Sequence, residues 1–193
     1  MQMAKKRKDN LARNLWIIIV LSLLGALVSA YLTVTHYSSE PDPFCEALGG
    51  GCDVVSKGPW SEVDGILMEQ FSIYIDFPLP VSVIGLLGFI FTIAVCILLL
   101  KKKEFKAGRY RIDKGFMLKS LFWLNLLGWI FALYLTYIEF IVLDTFCIYC
   151  DISKALFTAV LVFCWINLRE IKYASKRSLQ KKVSYKQIRK IIK

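Results

Sequence analysis

Residues 79–100 read LPVSVIGLLGFIFTIAVCILLL, without one charged side chain. A helix rises about 1.5 Å per residue, so a run of this length reaches across the roughly 30 Å hydrocarbon core of a bilayer. Three further segments of similar character flank it, at about Trp16 to Tyr37, Leu118 to Ile141 and Ile148 to Leu168. A chain of 193 residues that is 56% hydrophobic carries more apolar surface than a soluble domain of that size can hide. Lipid offers the backbone no hydrogen-bond partner, so each segment must satisfy itself as a helix. The expected fold is therefore an all-α integral membrane protein, a four-transmembrane-helix bundle. Its expected layout is a basic segment 1–14, a membrane domain 15–168 with a long connection at 38–78, and a basic tail 169–193.

The net charge of +10 raises the question of nucleic acid, and its placement answers it. Lys5, Lys6, Arg7, Lys8 and Arg13 precede the first segment, and Lys101, Lys102, Lys103, Lys106, Arg109, Arg111, Lys114 and Lys119 lie between the second and third. The stretch from Arg169 to Lys193 is basic again. Against these, the 38–78 connection has Lys57 alone among Glu40, Asp42, Glu46, Asp53, Glu62, Asp64, Glu69 and Asp76. Basic residues thus alternate with membrane side, which predicts both termini in the cytoplasm and the acidic loop on the opposite face of the cell membrane. No aromatic-interleaved basic module is visible, so no nucleic-acid partner is expected. Val28-Ser29-Ala30 imitates a signal-peptidase site, but apolar residues continue through Tyr31, Leu32 and Val34, predicting an uncleaved anchor.

All five prolines, Pro41, Pro43, Pro59, Pro78 and Pro80, fall in the acidic loop or at its end, which predicts turns and short pieces there. Val63, Ile66, Leu67 and Phe71 recur at helical spacing beside Glu62, Asp64 and Glu69, the pattern of a short amphipathic helix lying on the membrane surface. Gly49, Gly50 and Gly51 give the chain the freedom to turn back and bring Cys45 within disulfide reach of Cys52. Of the polar residues near span ends, Asp151 and Lys154 are expected to pair locally, and His36, the single histidine, to meet interfacial water.

Six cysteines divide by position. Cys96 and Cys164 lie deep within spans, with no charge nearby to stabilise a thiolate, and are expected to pack as small apolar residues. Cys45 and Cys52 lie in the acidic loop, and Cys147-Ile148-Tyr149-Cys150 opens the fourth span on the same membrane face. The second cysteine of that motif sits at a helix N-terminus, where unpaired amides and the helix dipole favour the anion, the attacking species in disulfide exchange. Compartment agrees with this chemistry. A gap of about 100 mV between a carrier and the reducing cytosol is worth roughly 4.7 kcal/mol for two electrons, so oxidising pairs belong outside. A lone CxxC also occurs in zinc sites, and four cysteines holding a structural zinc in a membrane scaffold or receptor is the competing class. The spacing between Cys45 and Cys52 fits a zinc knuckle poorly, and no histidine lies nearby in sequence.

The ordered set of Cys45, then Cys52-Asp53-Val54-Val55-Ser56, then Pro80-Val81-Ser82-Val83-Ile84-Gly85, then Phe146-Cys147-Ile148-Tyr149-Cys150 resembles the vitamin K epoxide reductase family in its prokaryotic, disulfide-forming form. The resemblance implies a four-helix bundle around a quinone pocket, capped by the outer loop. It implies that Cys150 lies next to the quinone, that Cys147 exchanges with Cys52, and that Cys45 with Cys52 is a shuttle pair. That pair would accept electrons from a secreted thioredoxin-like (DsbA-like) protein, and Ser56 would be the family's loop hydroxyl beside the active site. No thioredoxin-like domain follows the fourth span, so the partner is expected to be a separate protein. Lys154 stands where the animal enzymes carry a tyrosine one turn after CxxC. The implied acceptor is accordingly ubiquinone or menaquinone, not an epoxide, and the implied activity is quinone-dependent thiol oxidation in support of disulfide formation.

Overall fold

The structure, a computed structural model, describes residues 2–40, 42–47, 51–72, 78–101, 105–107, 110–112 and 114–191. Pro41, Gly49, Gly50 and Asp76, invoked above for the loop, lie outside the described residues. Four long helices dominate: α1 (Gln2–Tyr37), α5 (Val81–Leu100), α6 (Lys114–Tyr137) and α7 (Ile148–Ile191). Each contains a stretch long and apolar enough to cross a bilayer, at Asn10–Tyr37, Val81–Leu100, Gly115–Val142 (which runs on past α6) and Ile148–Ile171. The chain is an all-α, multi-pass membrane bundle. Between α1 and α5 lie three short helices, α2 (Pro43–Ala47), α3 (Cys52–Lys57) and α4 (Val63–Phe71), with a 3-10 turn at Pro59–Ser61. The α5–α6 connection adds a small antiparallel pair, β1 (Phe105–Ala107) and β2 (Tyr110–Ile112), with Lys106 opposite Arg111.

Packing follows side-chain size. Helix α1 lies against α5 and α7, and α6 against α7 and, less extensively, α5. Gly25 of α1 faces the ring of Phe89, which leaves no room for a Cβ; this lets α1 and α5 approach closely, as small residues do in membrane bundles. Toward the basic end, Leu15, Ile18, Cys96, Leu118, Leu121, Val160 and Cys164 form one buried cluster. The thiols of Cys96 and Cys164 are free and buried there. Beside this cluster the amide of Asn14 donates to Asn167 Oδ1 at 3.0 Å, joining α1 to α7 where lipid would offer neither side chain a partner. Outward, large apolar side chains stay uncovered, Leu27 at 61% and Leu127 at 66% exposure among them, as lipid-facing residues should.

Helix ends position the site. Pro80, extended at φ −61° and ψ 135°, precedes α5, and Leu79 O accepts Val63 N–H at 3.0 Å, so the start of α4 is tied to the start of α5. Helix α6 gives way to a wide π-turn at Ile138–Val142, and Asp144, with φ 46°, reverses the chain toward Cys147. Aspartate tolerates this left-handed conformation better than most residues, and π-turns concentrate at functional sites. The fourth apolar segment ends near Leu168 by composition, yet α7 continues unbroken to Ile191. The tail contains neither Gly nor Pro and is rich in Lys, Arg and Gln, so nothing in it stops a helix.

Candidate active site

The two cysteine pairs meet at the capped end of the bundle. Cys45 and Cys52 are joined as a disulfide across a Cα separation of 6.1 Å, and Cys147 and Cys150 as a second across 5.2 Å. Cys45, Cys52 and Cys147 share one buried cluster with Leu32 of α1, against which Val55, Tyr149 and Cys150 also pack. Short hydrogen bonds assemble it. Asp42 accepts Cys45 N–H through Oδ1 at 3.2 Å, capping α2, and accepts the Tyr31 hydroxyl through Oδ2 at 2.6 Å. Tyr31 in turn lies against Tyr149 of the CxxC motif, ring centroids 4.9 Å apart. Gly51 N–H donates to Phe146 O at 2.9 Å, so the residue before Cys52 is bonded to the residue before Cys147.

Cys147 sits just ahead of α7. Its Sγ accepts Cys150 N–H at 3.3 Å, and its own N–H donates to Glu139 Oε1 at 2.5 Å. Glu139, on the π-turn, is 2% exposed and forms an ion pair with Lys154, which also pairs with Asp151 at 2.8 Å. The local Asp151–Lys154 pairing expected from their spacing is present; the link onward to Glu139 is not visible in the sequence.

Cys150 lines a cavity of about 860 Å³ that runs into the bundle. Gly85, Phe131 and Phe157 are among its apolar walls; His36, Ser56, Ser61, Glu139 and Lys154 supply polar groups, and Thr92 and Asn125 others. Small-molecule sites of roughly 300–1,000 Å³ with mostly apolar walls and few polar groups are the usual form. Asn125, 3% exposed, donates to Leu121 O at 2.8 Å, while its Oδ1 has no partner. Ser56 lies on α3 at the cavity wall. Its carbonyl accepts from His36 Nδ1, and His36 Nε2 lies 3.1 Å from Glu62 Oε1. His36 is thus not left to interfacial water: its side chain is 9% exposed and ties the end of α1 to both α3 and the residue before α4.

The site therefore unites all five residues singled out in the sequence, Cys45, Cys52, Cys147, Cys150 and Ser56. Asp42, Tyr31, His36 and Glu139 are additional members. Glu139 and the Cys147 and Cys150 sulfurs lie within 4.8 Å of one another, a grouping that resembles a metal triad. In the disulfide state the two sulfurs offer no thiolate, and Glu139 is engaged by Lys154 and Cys147 N–H, so these donors are committed elsewhere. A four-cysteine zinc group is not assembled either, because the sulfurs are bonded in two pairs.

Two disulfides packed together beside an apolar cavity within a membrane bundle are the working parts of a thiol–disulfide oxidoreductase. The family model described as "Vitamin K epoxide reductase family" matches residues 16–165, which takes in α5, α6, both disulfides and the cavity. This chain belongs to the vitamin K epoxide reductase family of membrane disulfide oxidoreductases, whose members in general use quinones.

Proposed function

We propose that this protein is a quinone-dependent thiol oxidase supporting disulfide formation outside the cytoplasm. The observation that carries the reading is the joint burial of both disulfides, with Cys150 alone of the four cysteines opening onto the apolar cavity. In this reading both termini are cytoplasmic, by the distribution of Lys and Arg, and the cysteine-bearing cap faces outward from the cell membrane. A secreted thioredoxin-like protein of the DsbA type delivers its dithiol to Cys45–Cys52. Cys52 then attacks Cys147, Cys150 departs as a thiolate, and Cys45 closes back on Cys52, which frees Cys147.

The chain's own groups support each of these moves. The first turn of α7 presents its amides and dipole to the departing Cys150 sulfur. The Gly51–Phe146 hydrogen bond and the Tyr31–Asp42 contact hold the two loops at one place, converting exchange between them into an intramolecular step. The residues around the cavity fit a quinone: aromatic and aliphatic walls for ring and tail, with polar groups near Cys150 for the ring oxygens. Ubiquinone or menaquinone bound there would take up two electrons and two protons, supplying the oxidising potential that the protein lacks. Cys45 is 2% and Cys52 4% exposed, so a partner's thiolate reaches them only when the α2–α3 segment lifts from the bundle.

The test is quinone reduction by the purified protein in lipid, supplied with a reduced periplasmic-type carrier and followed by quinone absorbance. Steady turnover that disappears in Cys150→Ala supports the reading. A wild-type protein that oxidises the carrier with no quinone consumed, or that neither oxidises the carrier nor reduces the quinone, refutes it.

A further inference from the structure

Three charged side chains beside Cys147 and Cys150 form a series graded in burial. The Asp151 side chain is 41% exposed, Lys154 18% and Glu139 2%. They are joined in that order by ion pairs, and the innermost carboxylate reaches within 4.8 Å of both sulfurs of the CxxC pair. Glu139 and Lys154 line the same cavity as Cys150. A buried acid at the redox pair is thus connected to an acid at the surface of the bundle.

Holding the start of α7 does not require this charge. A glutamine or serine would accept Cys147 N–H with less desolvation, and buried ion pairs are seldom a net gain in stability. A reason for the charge emerges when electrons arrive. In the disulfide state the series holds two carboxylates and one ammonium. Splitting the Cys147–Cys150 bond adds a thiolate to that group, and a second anion close to a buried carboxylate in a water-poor site is resolved by the entry of a proton. Lys154 and Cys150 are four residues apart on α7 and so share a face, and the Lys154 ammonium is ion-paired with Glu139.

Building on the thiol-oxidase reading, we propose that Glu139 takes up a proton when Cys150 becomes a thiolate and releases it toward the electron acceptor in the cavity, with Asp151 and Lys154 as its path to water. The balance closes over one turnover. The partner's two thiols lose two electrons to the relay and two protons to water at the capped face. Two electrons leave for the acceptor as the Cys147–Cys150 bond re-forms. Two protons enter through Asp151 and Lys154, one with each filling of Glu139, and end on the two oxygens of the reduced acceptor.

The experiment uses the full chain in lipid nanodiscs and has two arms. In the first, without quinone, Cys147–Cys150 is reduced with tris(2-carboxyethyl)phosphine and followed by infrared difference spectroscopy. The wild type should gain a protonated-carboxyl band that Glu139→Gln lacks and that Asp151→Asn gains more slowly. In the second, dithiothreitol and ubiquinone-1 are supplied. Glu139→Gln, which keeps the acceptor for Cys147 N–H, should form quinol about 100-fold more slowly, with added formic acid restoring the rate. No carboxyl band in the wild type, or full-rate quinol formation by Glu139→Gln, overturns the proposal while leaving the oxidase reading intact. A wild type that gains the band but reduces no quinone sinks the oxidase reading, and the delivery step falls with it.

Discussion

Replacing Gly51 by alanine should slow electron transfer between the two cysteine pairs while making the first pair easier to reach. A Cβ built at this position would overlap the Thr145 hydroxyl and stand 3.1 Å from Thr145 Cβ. Thr145 cannot simply turn away: it is β-branched, and its N–H is fixed to Glu139 O at 3.1 Å. The methyl group must therefore push α3 off the segment that leads into Cys147, stretching the Gly51–Phe146 hydrogen bond of 2.9 Å. Overpacking of this kind costs about 1–3 kcal/mol. Borne by the closed arrangement in which Cys52 attacks Cys147, that cost corresponds to exchange slower by roughly 5- to 150-fold, at 1.36 kcal/mol per tenfold. The assay reduces the protein briefly with a reduced carrier, quenches with acid, and counts alkylated Cys147 and Cys150 against time. The same strain should speed reduction of Cys45–Cys52 by dithiothreitol, because a loosened cap exposes it. Thr145→Ala introduced alongside Gly51→Ala should recover most of the lost rate. Wild-type exchange in Gly51→Ala, or a fall in both rates together, would refute the reasoning.

Other substitutions probe separate parts of the structure. Cys150→Ala should abolish quinone reduction with helix content unchanged, and Cys147→Ala should halt transfer with electrons held on Cys45 and Cys52; both are read by quinone absorbance and thiol alkylation. Asn167→Leu strands the buried amide of Asn14 and should cost about 1–3 kcal/mol of stability, whereas Asn14→Leu with Asn167→Leu should be close to neutral, as measured by thermal unfolding in lipid. His36→Ala removes the ties to Ser56 O and Glu62, and should raise the rate at which Cys45 is alkylated under mild reduction by about tenfold, the equivalent of one hydrogen bond to a charged group.

What sequence made legible here depended on whether the deciding interaction was local. The spans could be read because an uninterrupted apolar run such as Val81–Leu100 leaves the backbone no alternative in lipid. The helix over Val63–Phe71 followed from its 3.6-residue period, and the two cysteine pairs that the structure brings together followed from their spacing. The supporting residues were not visible in this way. Tyr31 finds Asp42 only because α1 ends and the chain folds back over its last turns, and Glu139 finds Lys154 only because a π-turn and the left-handed Asp144 reverse the chain between them. A clue to Glu139 did exist, since an acid placed within an apolar span needs a partner, but nothing in the sequence indicates whether that partner is water, lipid headgroup or lysine. His36 was misjudged for a related reason. A histidine at the end of a span faces water unless another part of the chain covers it, and the cover comes from Ser56, Ser61 and Glu62.

The closed cap also works as electrical insulation. With Cys45 and Cys52 sealed against α1, small reductants in the surrounding water find almost no sulfur to strike. On the oxidase reading proposed above, current passes most readily when a protein that pries α2 and α3 loose makes the connection, so the preference among reductants is set by the lifting of a short helix before any bond is exchanged.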